Sequence, residues 1–118
     1  MEFYTFSKDA GRKIEAFQSD FVMTRIIRTV QDAHIGCMYL GQNGIIGYHQ
    51  ATMPQLLLIL NGGGHVRGEK EAYIEVRPGD AVFWEKGEWH ETKSEQGLTA
   101  IVIESNELQP SKFMKLKD

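Results

Sequence analysis

Residues 78–94 read PGDAVFWEKGEWHETKS, and their spacing decides the fold. Pro78 and Gly79 fill the two central positions of Arg77–Asp80, the residue chemistry of a type II turn. A short apolar run, AVFW, follows, then a charged loop, EKGE, then WHETK. Each run has strand length and β-branched or aromatic content, so the segment reads as strand, loop, strand. Strand alternation sets His90, Thr92 and Ser94 on one face and Glu91 on the other.

The same grammar extends in both directions. From about Phe21 onward the runs FVMTRIIRTV, HIGCMYL, IIGYHQA, QLLLIL, HVR and AYIEV precede this segment, and LTAIVIE follows it. Gly, Pro, Asn and Asp separate them at the intervals of all-β sandwiches and barrels. Leu56–Leu60 could be helical by composition, but Pro54 before it and Gly62–Gly64 after it favour a buried strand entering a tight turn. The N-terminal SKDAGRKIEAF reads as irregular or a short helical turn, because Gly11 weakens the cap offered by Ser7. The tail, with Leu108, Phe113, Met114 and Leu116 around Pro110, is expected to fold back over the barrel or a neighbouring subunit.

The chain of 118 residues suits one domain with a core. It divides into an N-terminal segment with a first strand (1–29), a barrel core (30–106) and a C-terminal tail (107–118). The first part is expected to join the barrel or a dimer interface. Net charge is −3, with 42% hydrophobic and 25% charged residues. Basic residues read as scattered, apart from Lys112, Lys115 and Lys117 near the end, which argues against nucleic acid as the main partner. Cys37 is the lone cysteine, so no intrachain disulfide and no cysteine-based zinc site is possible, and its apolar setting reads as a small buried hydrophobe. The start of the chain lacks a signal-peptide pattern, and no apolar run is long enough to span a bilayer. The expected location is the cytoplasm.

With Gly79, five residues, Glu85-Lys86-Gly87, two residues, His90, three residues and Ser94, the segment resembles the second signature of the cupin superfamily. Glu85 stands at a Pro position and Ser94 at an Asn position. The first signature is traced by counting back from Gly62: Gln55 falls at the Glu position, Ala51 at the second His, His49 at the first His and Asn43 at the opening Gly. The resemblance covers about Val30 to Glu104. It implies an all-β fold, the cupin double-stranded β-helix or jelly-roll barrel, in a single domain.

In that family three imidazoles and a carboxylate face inward to a divalent ion. Here Ala51 cannot coordinate and Gln55 offers only a neutral amide oxygen, which leaves a reduced set of His49, Gln55 and His90. The expected cofactor is none, with Zn, Ni, Fe or Mn on that set as the alternative. Glu85, Glu88, Glu91, His65 and His34 are weighed as substitute ligands, and each reads more simply as a solvated or outward residue. The functional expectation is a barrel that binds a small polar molecule, non-catalytic or of cryptic activity. His49, Gln55, His90, Tyr48, Leu57 and Trp89 are its candidate ligand-binding residues. The competing expectation is a metal-dependent enzyme of dioxygenase or isomerase type on the reduced site, and a metal-free acid–base enzyme ranks last. The partners expected are a small-molecule ligand and a second copy of the chain, with FVMTRIIRTV suited to the dimer interface, and neither nucleic acid nor membrane.

Overall fold

The run after Pro54 becomes a strand whose residues Gln55–Ile59 are all buried, as its lack of hydrophobic alternation requires. The structure, a computed structural model, describes residues 1–70 and 72–118. In chain order the strands are β1 (Glu2–Thr5), β2 (Arg12–Ile14), β3 (Phe21–Met23), β4 (His34–Leu40), β5 (Gly44–Gln50), β6 (Gln55–Gly62), β7 (Gly64–Arg67), β8 (Ile74–Val76), β9 (Asp80–Trp84), β10 (Trp89–Ser94), β11 (Leu98–Glu104) and β12 (Lys115–Leu116). Two 3-10 turns, Lys8–Ala10 and Ala16–Gln18, and one helical turn, α1 (Pro110–Phe113), complete the chain. No helix among the described residues is long and apolar enough to cross a membrane.

The larger sheet runs β12-β1-β9-β6-β11-β4 and the smaller β5-β10-β7-β8, while β2 and β3 form a separate two-stranded ribbon. The described pairings are antiparallel. Side chains alternate across each strand, so each face of the larger sheet carries its own core. Leu57, Ile59, Val82, Trp84, Leu98, Ala100 and Val102 point inward and meet Val66 and Val76 of the smaller sheet. Leu56, Leu58, Ala81, Phe83 and Ile103 point outward, where Leu108 and Met114 of the tail, with Ile26 and Ile27, cover them. The tail therefore folds back over the larger sheet, and β1 brings the N-terminal segment into it.

The turns follow their residues. Asp80 N–H donates to the Arg77 carbonyl at 3.0 Å, and Gly79 has φ +96°, as a type II turn demands at its third position. Gly62 has φ +76°, and a Cβ there would stand 2.1 Å from the Gly97 carbonyl oxygen, so only glycine fits where β6 passes that turn.

Two expectations are corrected. Of FVMTRIIRTV only Phe21–Met23 is strand, because Ile26 and Ile27 leave the ribbon to cover the larger sheet. Cys37 is exposed rather than buried, because β4 is an edge strand and its odd-numbered residues face outward.

Candidate functional site

Register brings the site residues to one end of the barrel. Across the larger sheet Trp84 pairs with Gln55, Gln55 with Glu104 and Glu104 with His34, so all four share the inward face of one row. On the smaller sheet His90 pairs directly with His49. Between His90 and Thr92 the register shifts, so that Glu91 opposes both Gly47 and Tyr48. This bulge lets His49 and Ile46, three residues apart, both face the interior.

The two imidazoles differ in environment. His49 is exposed, and its Nδ1 lies 2.7 Å from the Gly47 carbonyl oxygen. A carbonyl can only accept, so Nδ1 carries the proton of this hydrogen bond. His90 is 2% exposed, stacked on Trp84 at a centroid distance of 4.2 Å and tilted against His49 at 4.4 Å. Among the described residues neither ring nitrogen of His90 has a hydrogen-bond partner, nor does Trp84 Nε1. Burial, reinforced by repulsion from His49 and opposed by the Glu88 carboxylate, pushes His90 down to about 4. It is therefore neutral at neutral pH.

A cavity of about 210 Å³ opens at this end, lined by His49, Gln50, Ala51, Thr52, Gln55 and Glu104, with Met38 and Ile46 as apolar wall. Glu104 is the residue that sequence spacing missed. Nothing in LTAIVIE marks its last residue as special, and only the pairing of β11 with β6 places it beside Gln55.

The remaining candidates fall elsewhere. Leu57 is packed in the inner core. Tyr48 and Trp89 stack on each other at 5.2 Å on the outer face of the smaller sheet, with the Arg67 guanidinium 4.2 Å above the Tyr48 ring. Glu91 also faces outward, accepting from the Tyr73 hydroxyl and pairing with Arg67 at 3.2 Å. The Tyr73 hydrogen bond, then Arg67, holds its carboxyl below the usual range. His65 shares that outer face, opposite Lys93. Glu88 is engaged by the Met1 amino group at 2.6 Å and by the Glu85 N–H, and Glu85 itself is exposed.

No protein-family model matches the chain, and no curated protein matches it. Solved structures do. A cupin superfamily protein from Desulfitobacterium hafniense superposes with a TM-score of 0.59 at 13% identity, covering 70% of this chain and 74% of that one. The chain has the cupin fold. An RmlC-like cupin from Shewanella frigidimarina gives 0.59 at 16% identity over 63% of this chain and 66% of that one. A predicted oxalate decarboxylase from Thermotoga maritima gives 0.54 at 19% identity over 70% and 65%.

For the metal centre that cupin motifs imply, the residues at hand do not fit. Ala51 carries no donor, Gln55 is uncharged, and among the described residues no three His, Cys, Asp or Glu side chains stand together as a metal cluster. What the chain offers at this end of the barrel is an imidazole, an amide and one carboxylate around a small cavity, with the buried His90 ring tilted against His49.

Proposed function

We propose that this cupin binds a small polar molecule at the barrel mouth and does not transform it. The observation that carries the reading is the convergence of His49, Gln55 and Glu104 on one cavity of about 210 Å³. Its polar wall carries the Glu104 carboxylate and the Gln55 carbonyl as acceptors, beside the His49 ring. A ligand with several hydroxyl or amino donors suits that wall, and Met38, Ile46 and Ala51 suit its carbon skeleton. A general acid or base works best when it titrates near the working pH, and His90 at about 4 is far from neutrality. A cytoplasmic location belongs to the same reading, supported by a single free thiol in the whole chain.

The second reading is a metal-dependent enzyme on His49, Gln55 and His90. One observation favours it: both ring nitrogens of a buried histidine lack partners, which is costly unless a further group satisfies them. The donor chemistry opposes it, as set out above. Elemental analysis of tag-free protein from metal-replete medium, with melting temperatures in millimolar polyols and small amines, separates the two. Ligand-dependent stabilisation that disappears in Glu104→Gln and His49→Ala, with metal far below one equivalent, is the expected result. Near-stoichiometric metal, lost in a His49→Ala, His90→Ala double variant, overturns the binding reading.

The functional unit we propose is a homodimer. The chain exposes 7600 Å², whereas a compact monomer of 13.4 kDa exposes about 6,500 Å². The excess, roughly 1,100 Å², exceeds the ~800 Å² per partner of a standard interface. Ile35, Tyr39 and the ribbon residues Phe21 and Val22 are the exposed apolar surface a second copy would cover. Sedimentation equilibrium at micromolar concentration should give twice the chain mass, and a monomer there refutes the dimer.

A further inference from the structure

A second concave site shares no lining residue with the histidine cavity. The ribbon β2–β3, the residues just after it and α1 enclose about 430 Å³. Four cations line it: Arg12 and Lys13 on β2, Arg25 just beyond β3, and Lys112 on α1. In the sequence Arg12, Lys13 and Arg25 read as part of a scatter and Lys112 as part of a small cluster near the end; the fold gathers the four, although the chain as a whole carries −3. Among the described residues no carboxylate lines the cavity, and of the four cations only Lys13 makes ion pairs, at 3.5 Å to Glu15 and 3.7 Å to Asp20. Those two partners are exposed, so solvent and salt weaken their compensation.

Like charges on a concave wall repel one another and focus a positive field into the space between them, and an entering anion relieves both effects. The chemistry of the wall selects the anion. Two guanidinium groups and two ammonium groups match the several oxygens of a phosphoryl group, which can accept from each at once. The volume lies within the ~300–1,000 Å³ of small-molecule sites and far exceeds what inorganic phosphate fills. Ile14, Met23 and Phe113 supply an apolar surface with no use for a bare anion.

We propose that this cleft binds a small organic phosphate, with the phosphoryl group held by Arg12, Arg25 and Lys112 and the carbon skeleton lying on Ile14, Met23 and Phe113. The site is independent of the barrel-mouth reading and survives its failure.

Isothermal titration of the full chain tests it with four probes: adenosine monophosphate, inorganic phosphate, uncharged adenosine and single-stranded oligothymidylate. The expected order is adenosine monophosphate tighter than inorganic phosphate by about tenfold, with no measurable binding of adenosine. Arg12→Gln and Arg25→Gln should each weaken adenosine monophosphate by about tenfold, as loss of a charge-assisted contact does, while His49→Ala leaves it unchanged. Both arginines are exposed, so melting temperatures should stay at the wild-type value and show that the variants fold. Phosphate affinities equal in wild type and in both arginine variants would mean adventitious anion binding and overturn the site. Oligothymidylate binding more tightly than the mononucleotide would replace it with a nucleic-acid surface and overturn it equally.

Discussion

Ser94 and His90 sit on one strand, face the same interior and are equally buried, at 2% exposure each, yet their polar atoms fare differently. Ser94 Oγ donates to the Gly63 carbonyl at 2.6 Å and accepts from Gly97 N–H at 2.8 Å, tying the β6–β7 turn to the turn before β11. His90 has no partner on either nitrogen among the described residues. Between them the barrel changes from a closed end sealed by Val66, Val76 and Leu98 to an open end where His49, Gln55 and Glu104 line a cavity and His90 lies buried behind His49. The closed end has its polar groups satisfied and its volume filled, as a structural core must. The open end retains unmet hydrogen-bonding capacity on His90 and Trp84.

The contrast can be broken most decisively at the shared core. Leu57→Ala removes a side chain that is 1% exposed in the packed interior and should cost about 2–5 kcal/mol by urea denaturation. A smaller loss would mean that the interior collapses easily and is less filled than it stands here.

The next largest effect is a pH dependence confined to the open end. His90 titrates at about 4 when folded against an ordinary value of 6.5. The unfolded chain therefore binds the proton more readily, and the stability this histidine leaves intact above pH 6.5 is lost as pH falls from there through 4. The loss should approach about 3 kcal/mol. His90→Phe, which keeps a ring against Trp84, should flatten that part of the curve. A variant whose stability still falls as steeply as wild type between those values would place the acid sensitivity elsewhere.

Ser94→Ala should cost about 1–3 kcal/mol, by stranding the Gly63 carbonyl and the Gly97 N–H, while leaving ligand-induced stabilisation at the mouth intact. His49→Ala is the mirror image: its exposed ring contributes under about 0.5 kcal/mol to stability, but ligand protection should vanish. If the two variants affected stability and binding alike, the division into a structural end and a functional end would fail.

Much of this was readable from residue order. HIGCMYL coincides with β4, and AVFW and WHETK fall within β9 and β10, because turn residues separate runs of strand length with β-branched or aromatic content. The resemblance to the two cupin signatures put His49 and His90 together, and the structure pairs them directly. Glu104 was not, since its place depends on which residue of β6 it pairs with, a long-range fact without local signature. Tyr48 and Trp89 neighbour the histidines in sequence and, by the same alternation, stand on the opposite face of the sheet. The basic cleft was hidden for a related reason, because Arg12 and Lys112 meet only after both termini fold onto the barrel.

The stacking of His90 on Trp84 gives the molecule an optical consequence. The chain has two tryptophans, and only Trp84 is buried, with Trp89 on the outer surface. A charged imidazolium in face contact with an indole drains its excited state far more effectively than a neutral ring does. The blue-shifted emission of Trp84 should therefore dim as His90 gains a proton and change again when a ligand engages the mouth. The protein carries an intrinsic fluorophore against the histidine whose protonation it would report, and a label-free titration can read it.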